Sequence, residues 1–517
     1  MALFVIVFCL FLTRPSPGAT VGRDTTIAGR TYALLPIEAL ASQLRQGRVP
    51  LRYRRTAFAG RLEARMAGIE EVRAAVELED VQFLDQLVLD RVVFRAPVQG
   101  IGVFFQKGLS VLGARFDAGL DLQDSEWRGP FSANQALFAG RTRFANCHFY
   151  ATASWIGAGF AGPAAVLART RFEEGAFFEE ARFAGPADFA DVYFEGLSSF
   201  KRASWGNGVS FAGAHLKDRS FFWNASFGGP ASFDEARFGS EASFHQARFA
   251  QAATFRRVGF VHAVHFDQVE FSAGANFGGS HFKRLADFAD SRSGGALELG
   301  AVFTGDLDLR RCHAPLVDLR LPAGSTPDIV ADSSDTARVF IQEILCDRFL
   351  VRWEQLAGRL AAPDPTDVQS PGAVYAFLEQ QFTAQGLGDD ARLCRTAGLD
   401  WRRRALPWTS PERWFLAGWW LTTGYGVRLS RFFWLSALLV LGFAALYRLG
   451  RDTFRPVHGA GAFTALGCLL FSLQTFVRVG PVSWRPAGPY RVLVMIQALA
   501  GWCVWALFIA ALLARMS

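Results

Sequence analysis

Large apolar residues recur through the middle of the chain at steps that alternate five and six. They are Phe178, Phe183, Phe189, Phe194, Phe200, Trp205, Phe211, Leu216, Phe222, Phe227, Phe233, Phe238, Phe244, Phe249, Phe255, Phe260, Phe266, Phe271, Phe277, Phe282 and Phe288. Two positions before each stands Ala, Ser or Val. An eleven-residue period also suits a right-handed coiled coil, so a helical reading has to be tested. At about 100° per residue, steps of five and six put successive rings roughly 140° and 240° apart, which makes two opposed stripes and no seam. The pairs Gly162-Pro163, Gly185-Pro186 and Gly229-Pro230 would break such a helix as well. The pattern instead predicts a chain that turns a corner every five or six residues. A large residue and the small one before it point inward on each face, and the remaining three or four positions face water.

The same register runs backwards through Phe172, Trp155, Phe149, Phe144, Phe138, Trp127, Leu122, Phe116, Phe105, Phe94, Leu89, Phe83 and Leu78, with one slip between Phe160 and Phe172. Forwards it fades through Leu299 and Leu309. The repeated motif Ala-x-Phe-x-x resembles the pentapeptide-repeat family in its Phe-rich form. That resemblance implies a right-handed quadrilateral β-helix in which four faces make one coil, here of 22 residues, with the large residues stacked as interior ladders. Residues 72–316 would hold about ten coils, a rod of roughly 50 Å at about 4.8 Å per coil. Each buried Phe contributes roughly 1.5–3 kcal/mol, so such a rod needs no metal or disulfide.

Flanking segments follow other patterns. Residues 37–45 read as a short amphipathic helix on Ile37, Leu40 and Leu44, and residues 49–62 as extended chain, so residues 20–71 are expected to cap an otherwise open solenoid end. Residues 335–360 and 373–397 read as helices around a Pro-containing stretch, which predicts a helical hairpin within residues 330–410. At the N-terminus an apolar run of eleven residues, too short to span a bilayer, makes residues 1–19 resemble a signal peptide.

Residues 411–517 form the most apolar part. Runs at 432–447 and 492–513 are long enough to cross a membrane, with Arg431, Arg448 and Arg515 at their ends. Between them lies the apolar segment 462–476, about the length of a half-membrane helix. The sequence Phe471-Ser-Leu473-x-Thr475-Phe476-x-x-Val479-Gly480 is similar to the pore helix and filter of the two-helix potassium-channel pore domain. That resemblance makes Thr475, Phe476, Val477, Arg478, Val479, Gly480 and Pro481 the pore and filter candidates, and a tetramer the expected assembly. The filter departs from the family: Val477 and Arg478 replace threonines, Pro481 an aromatic, Val482 a glycine and Ser483 an acid. Potassium selectivity through a ring of backbone carbonyls is therefore not expected. Two readings stay open: a pore that is not potassium-selective, in which a ring of Arg478 repels cations, and a non-conducting anchor. Thr422-Thr-Gly-Tyr-Gly426 imitates a filter signature but precedes both spans, and is read as the end of a Trp-rich interfacial segment.

Composition and charge narrow the rest. The 517 residues include 50 Phe and 50 Gly, as a repeated unit that consumes both would require. The net charge is +7, yet residues 181–290 carry eleven basic and eleven acidic residues, so the rod is neutral and a nucleic-acid partner or duplex mimicry is not expected. The basic excess gathers around the apolar helices. Arg448, Arg451, Arg455, Arg478, Arg485 and Arg491 face only Asp452 between the spans, which places that loop in the cytoplasm and the rod outside it, on a multi-pass protein of the plasma (inner) membrane. Seven scattered cysteines form no C-x-x-C pair, and no phosphate loop or nucleophile elbow occurs. His265 and His281 precede core positions three faces apart and point in different directions, so no metal is expected. The expected protein is not an enzyme and carries no cofactor. Its partners are the lipid bilayer, further copies of itself and a protein bound along the solenoid.

Overall fold

Each turn of the chain makes four short strands. In one coil these are Ala187–Asp188, Tyr193–Phe194, Ser198–Ser199 and Ser204–Trp205. The next strand, Val209–Ser210, then lies in parallel register on the first. The computed structural model describes residues 23–47, 49–320, 337–361, 371–457, 463–478 and 484–516. The chain divides into two compact units, Met1–Val351 with Arg359–Ala361 and Arg352–Gly358 with Ala362–Ser517.

The first unit is a parallel β-solenoid with a 22-residue register: Phe183 lies on Trp205, Phe227 on Phe249 and Phe238 on Phe260. Backbone amides reach the next coil, as from Phe211 N to Ser232 O and from Phe222 N to Ser243 O, both 2.7 Å. One face stacks 13 strands, from Leu62–Glu63 to Val339–Phe340, so the rod has about 13 turns. At about 4.8 Å per coil it is close to 60 Å long.

The interior is a zipper of aromatic rings. Phe200, Phe222, Phe244, Phe266 and Phe288 stack face to face in one column at 4.6–4.9 Å between ring centres. Phe189, Phe211, Phe233, Phe255 and Phe277 stack in the column opposite at 4.7–5.0 Å. The two columns meet edge to face, with Phe222 at 5.5 Å from both Phe211 and Phe233 and nearly perpendicular to each. Offset-stacked and edge-to-face contacts are the two geometries that ring quadrupoles favour. Phe183 and Phe194 hold the other two faces, stacking with Trp205 and Phe172. The residue two places earlier is small and packs beneath the corner: Ala181, Ala203, Ala225 and Ala247 are all fully buried.

Turns carry a local conformational cost that the stack offsets. Every eleventh residue from Glu180 to Asp290 has positive φ, and nine of these eleven positions are not glycine. Each such residue costs on the order of 1 kcal/mol. Their side chains bond along the corner to the neighbouring coil: Arg202 to Glu180 at 2.5 Å, Gln246 to Gln268 at 2.8 Å and Arg311 to Asp290 at 2.7 Å.

The predicted slip is one extra residue in the corner 161–164. Leu137 and Phe138 pair 22 residues on, with Gly159 and Phe160, whereas Thr142 pairs 23 on, with Ala165. A compensating residue is missing at 299–301, where the register falls from 22 (Ala275 with Leu297) to 21 (His281 with Val302).

The N-terminal end carries one helix and an antiparallel pair of strands. Helix α1, Ile37–Gln46, buries Ile37, Leu40, Ala41 and Leu44, and an antiparallel pair, Arg23–Ile27 with Arg30–Pro36, precedes it. Extended chain at Leu51–Ala59 is already paired in parallel with Val76–Phe83, so the stack begins earlier than residue 72. The residues expected to form a signal peptide, 1–19, lie outside the described residues.

The C-terminal end differs from expectation. Residues 339–351 are not the first helix of a hairpin but a last coil, with Val339–Phe340 on Leu307–Asp308 and Arg348–Leu350 on Leu316–Asp318. Val339, Ile341, Ile344 and Val351 fill inward positions there, and residues 341, 344 and 351 also lie on one face of a helical template. Among the described residues of 335–360, only α2, Trp353–Leu356, is helical. The hairpin of the second unit is instead α3, Pro371–Ala384, against α4, Gly388–Ala405. Buried Asp390 of α4 holds Arg352 at 2.9 Å.

Candidate functional site

Four helices complete the second unit. Helix α5, Pro411–Thr423, has Pro at its first position and ends on Gly424 in the left-handed conformation. Thr422-Thr-Gly-Tyr-Gly426 is therefore a helix end, with Thr423 fully buried and its Oγ1 donating to Trp419 O. Helix α6, Ser430–Leu449, and helix α8, Tyr490–Met516, contain the two expected spans. Ser430–Leu449 and Tyr490–Leu513 have mean hydropathies of 1.8 and 2.2, and by length and composition both can cross a membrane. Their outward faces carry Trp434, Leu438, Met495 and Leu499, each more than two-thirds exposed. A continuous apolar surface of that kind is costly in water.

Helix α7, Ala465–Val477, falls in the apolar segment between the two runs. Thirteen residues rise only about 20 Å, short of a bilayer core. Thr464 caps its start, the hydroxyl accepting from Gly467 N at 3.2 Å. The helix is wedged between α6 and α8. Tyr447, Cys468 and Phe471 pack at one end, and Phe432, Val440, Phe476 and Val504 at the other. A Cβ on Gly501 would stand 2.6 Å from Phe476 O, so α8 approaches the end of α7 as closely as a glycine permits.

A polar bridge lies in the middle of this apolar contact. Gln497 of α8 is fully buried; its Nε2 donates to Ser472 Oγ at 2.7 Å and Ser472 O at 2.9 Å, and its Oε1 accepts from Tyr447 Oη at 2.6 Å. Ser472 Oγ in turn donates to Val440 O at 2.7 Å. Three helices are thus tied at one point where apolar surroundings make an unmet bond expensive. No motif in the sequence groups Tyr447, Ser472 and Gln497. The available signal is Gln497, the one amide within an apolar run of more than twenty residues.

The filter candidates divide at the end of α7. Thr475 is half-buried and its hydroxyl donates to Phe471 O at 2.8 Å, while Phe476 is buried in the core. Val477 is exposed, and Arg478 ends the helix with φ of 56° and its guanidinium 5.5 Å from the Trp502 ring centre. Val479, Gly480 and Pro481 lie outside the described residues. Beside α7 an open apolar groove of about 430 Å³ runs between Phe433, Val440, Leu473 and Trp505, and includes Ser436, whose buried hydroxyl has no hydrogen-bond partner.

The molecule is thus a parallel β-solenoid followed by a helical region with two apolar helices. Within the solenoid, residues 178–226 and 222–269 match the family model of pentapeptide repeats (9 copies). Pentapeptide repeats therefore build at least that stretch of the rod. No curated protein and no solved structure matches the chain.

Proposed function

We propose that this is a multi-pass membrane protein in which the solenoid is coupled to a pore-like module of α6, α7 and α8, assembled from several copies and not selective for potassium. The observation that carries this reading is the wedged helix α7. A thirteen-residue apolar helix between two apolar spans, tied to both by Gln497, has the form of a re-entrant segment. Lipid is the natural solvent for the exposed leucines and tryptophans of α6 and α8. The groove beside α7 gives a second copy an apolar seat, and a tetramer follows from the likeness to the two-helix pore domain. Arginine at the end of α7 in every subunit disfavours cations and suits an anion path. The rod, exported on the charge argument, presents neutral outer faces for a protein partner, and no enzymatic role is proposed.

Arg478 stacked over Trp502 of its own chain favours a second reading, a non-conducting tether for the solenoid. Native mass in detergent and current across liposomes separate the two. The pore reading expects a tetramer with an anion current that Arg478→Glu weakens or reverses. A monomer silent in every salt would overturn it and leave the tether.

A further inference from the structure

The 22-residue register places side chains far apart in sequence side by side on the outer wall of the rod. On the face that carries Phe244, Phe266 and Phe288, Ser243, His265 and Asp287 follow one another in register. Two residues further along the chain, His245 and Asp267 form a second row. His245 Nδ1 meets Asp267 Oδ2 at 2.5 Å, His265 Nδ1 meets Asp287 Oδ2 at 3.3 Å, and His265 Nε2 faces Glu241 Oε1 at 3.8 Å. One ligand atom from each of His265, Asp267 and Asp287 can be chosen so that all three lie within 4.8 Å of one another.

Three features bear on what this group can hold. First, the carboxylates of Glu241, Asp267 and Asp287 surround two imidazoles and leave a net charge of about −3 with neutral histidines, which a divalent cation would largely offset. Arg310, the cation beyond Asp287, is taken by Asp308 at 2.5 Å. Second, the 3.3 Å between His265 Nδ1 and Asp287 Oδ2 is longer than a charge-assisted hydrogen bond of about 2.7–2.9 Å. It is the spacing of two ligands on one tetrahedral ion with bonds of about 2.0–2.1 Å. Third, two of the three inner groups have a further one beside them: Glu241 lies 3.8 Å from the far nitrogen of His265, and His245 is hydrogen-bonded to Asp267. Such partners orient metal ligands in known sites. Side chains here are between one-fifth and one-half exposed, which leaves an entry path.

We propose that His265, Asp267 and Asp287 bind one divalent transition-metal ion of the zinc class on the outer wall of the solenoid, with Glu241 and His245 orienting them. The mix of imidazole and carboxylate suits Zn²⁺, Co²⁺ or Mn²⁺ and disfavours soft monovalent ions. This site stands on the solenoid alone and is independent of the membrane reading. Because the ligands and their orienting partners are borne on adjacent coils, an ion there would clasp three successive turns, from Glu241 to Asp287.

The test uses the full chain, purified in detergent without an affinity tag and stripped with a chelator. Titration with Co²⁺ is expected to give one equivalent with visible d–d absorption and no thiolate charge-transfer band, displaced by Zn²⁺. His265→Ala, Asp267→Asn and Asp287→Asn should each weaken Zn²⁺ binding at least tenfold, and Glu241→Gln about tenfold, the effect usual for an orienting partner. Gln246→Ala, on the same wall, should leave affinity unchanged. Melting curves of the metal-free proteins check that every variant is folded. Absence of Co²⁺ uptake by the folded wild type, or binding unaltered in the three ligand variants, overturns the proposal.

Discussion

The solenoid and the helical module solve the same problem, how to bury apolar surface, in opposite ways. In the solenoid each ring has the same neighbours as the ring 22 residues away, so the energy is spread over many equivalent columns. In the helical module one buried amide, Gln497, and one glycine, Gly501, decide how three helices meet. Redundant packing tolerates slips, as the extra residue at 161–164 and the missing one at 299–301 demonstrate. A single tie tolerates none.

Substitutions test that contrast, and their expected effects differ in size. Phe222→Ala, at the crossing of five ring contacts, should cost about 3–5 kcal/mol in denaturant unfolding, because neighbouring coils cannot collapse into the gap. Gln497→Leu should cost less, about 1–3 kcal/mol of thermal stability in detergent, and should loosen α7 selectively, seen as faster amide exchange in residues 465–477. If the whole module melted as one with unchanged exchange, the single-tie description would be wrong. Next comes Glu235→Ala, which removes the corner ion pair to Arg257. An exposed pair should contribute under about 1 kcal/mol and vanish in high salt.

The smallest effect concerns pH. Burial holds the His215 imidazole below its ordinary pKa, with the Arg237 guanidinium adding to the shift, and burial does the same to His281 beside Lys283. With the folded pKa depressed, the unfolded chain binds protons first, so stability is full above about pH 6.5 and declines as pH falls below it. His215→Gln should flatten part of that decline in melting curves taken from pH 7 to 5, and an unchanged slope would show that burial there has no consequence for stability.

Much of the rod is legible in the amino-acid sequence alone. Alternation of five and six with a small residue two places earlier predicts both the corner and the inward face, and the 22-residue register follows by counting. The same counting puts His245 beside Asp267 and His265 beside Asp287. Comparing His265 with His281, three faces further around the coil, misses that row. Residues 339–351 pass for a helix because β-branched and aliphatic residues replace most of the Phe there, and part of their spacing suits a helix equally well.

The solenoid therefore follows from the chain's own periodicity: the rule is short and its consequences are local, since each residue needs only the coil above and below. Two things depend instead on how distant segments meet in space: where the rule stops, at the coil ending near Ala361, and how α7 is held between α6 and α8. Apolar helices have no register of their own, because any face of such a helix can bury against another. Only the few polar and glycine positions, Tyr447, Ser472, Gln497 and Gly501, break that degeneracy, and they do so through contacts 25 to 50 residues apart along the chain.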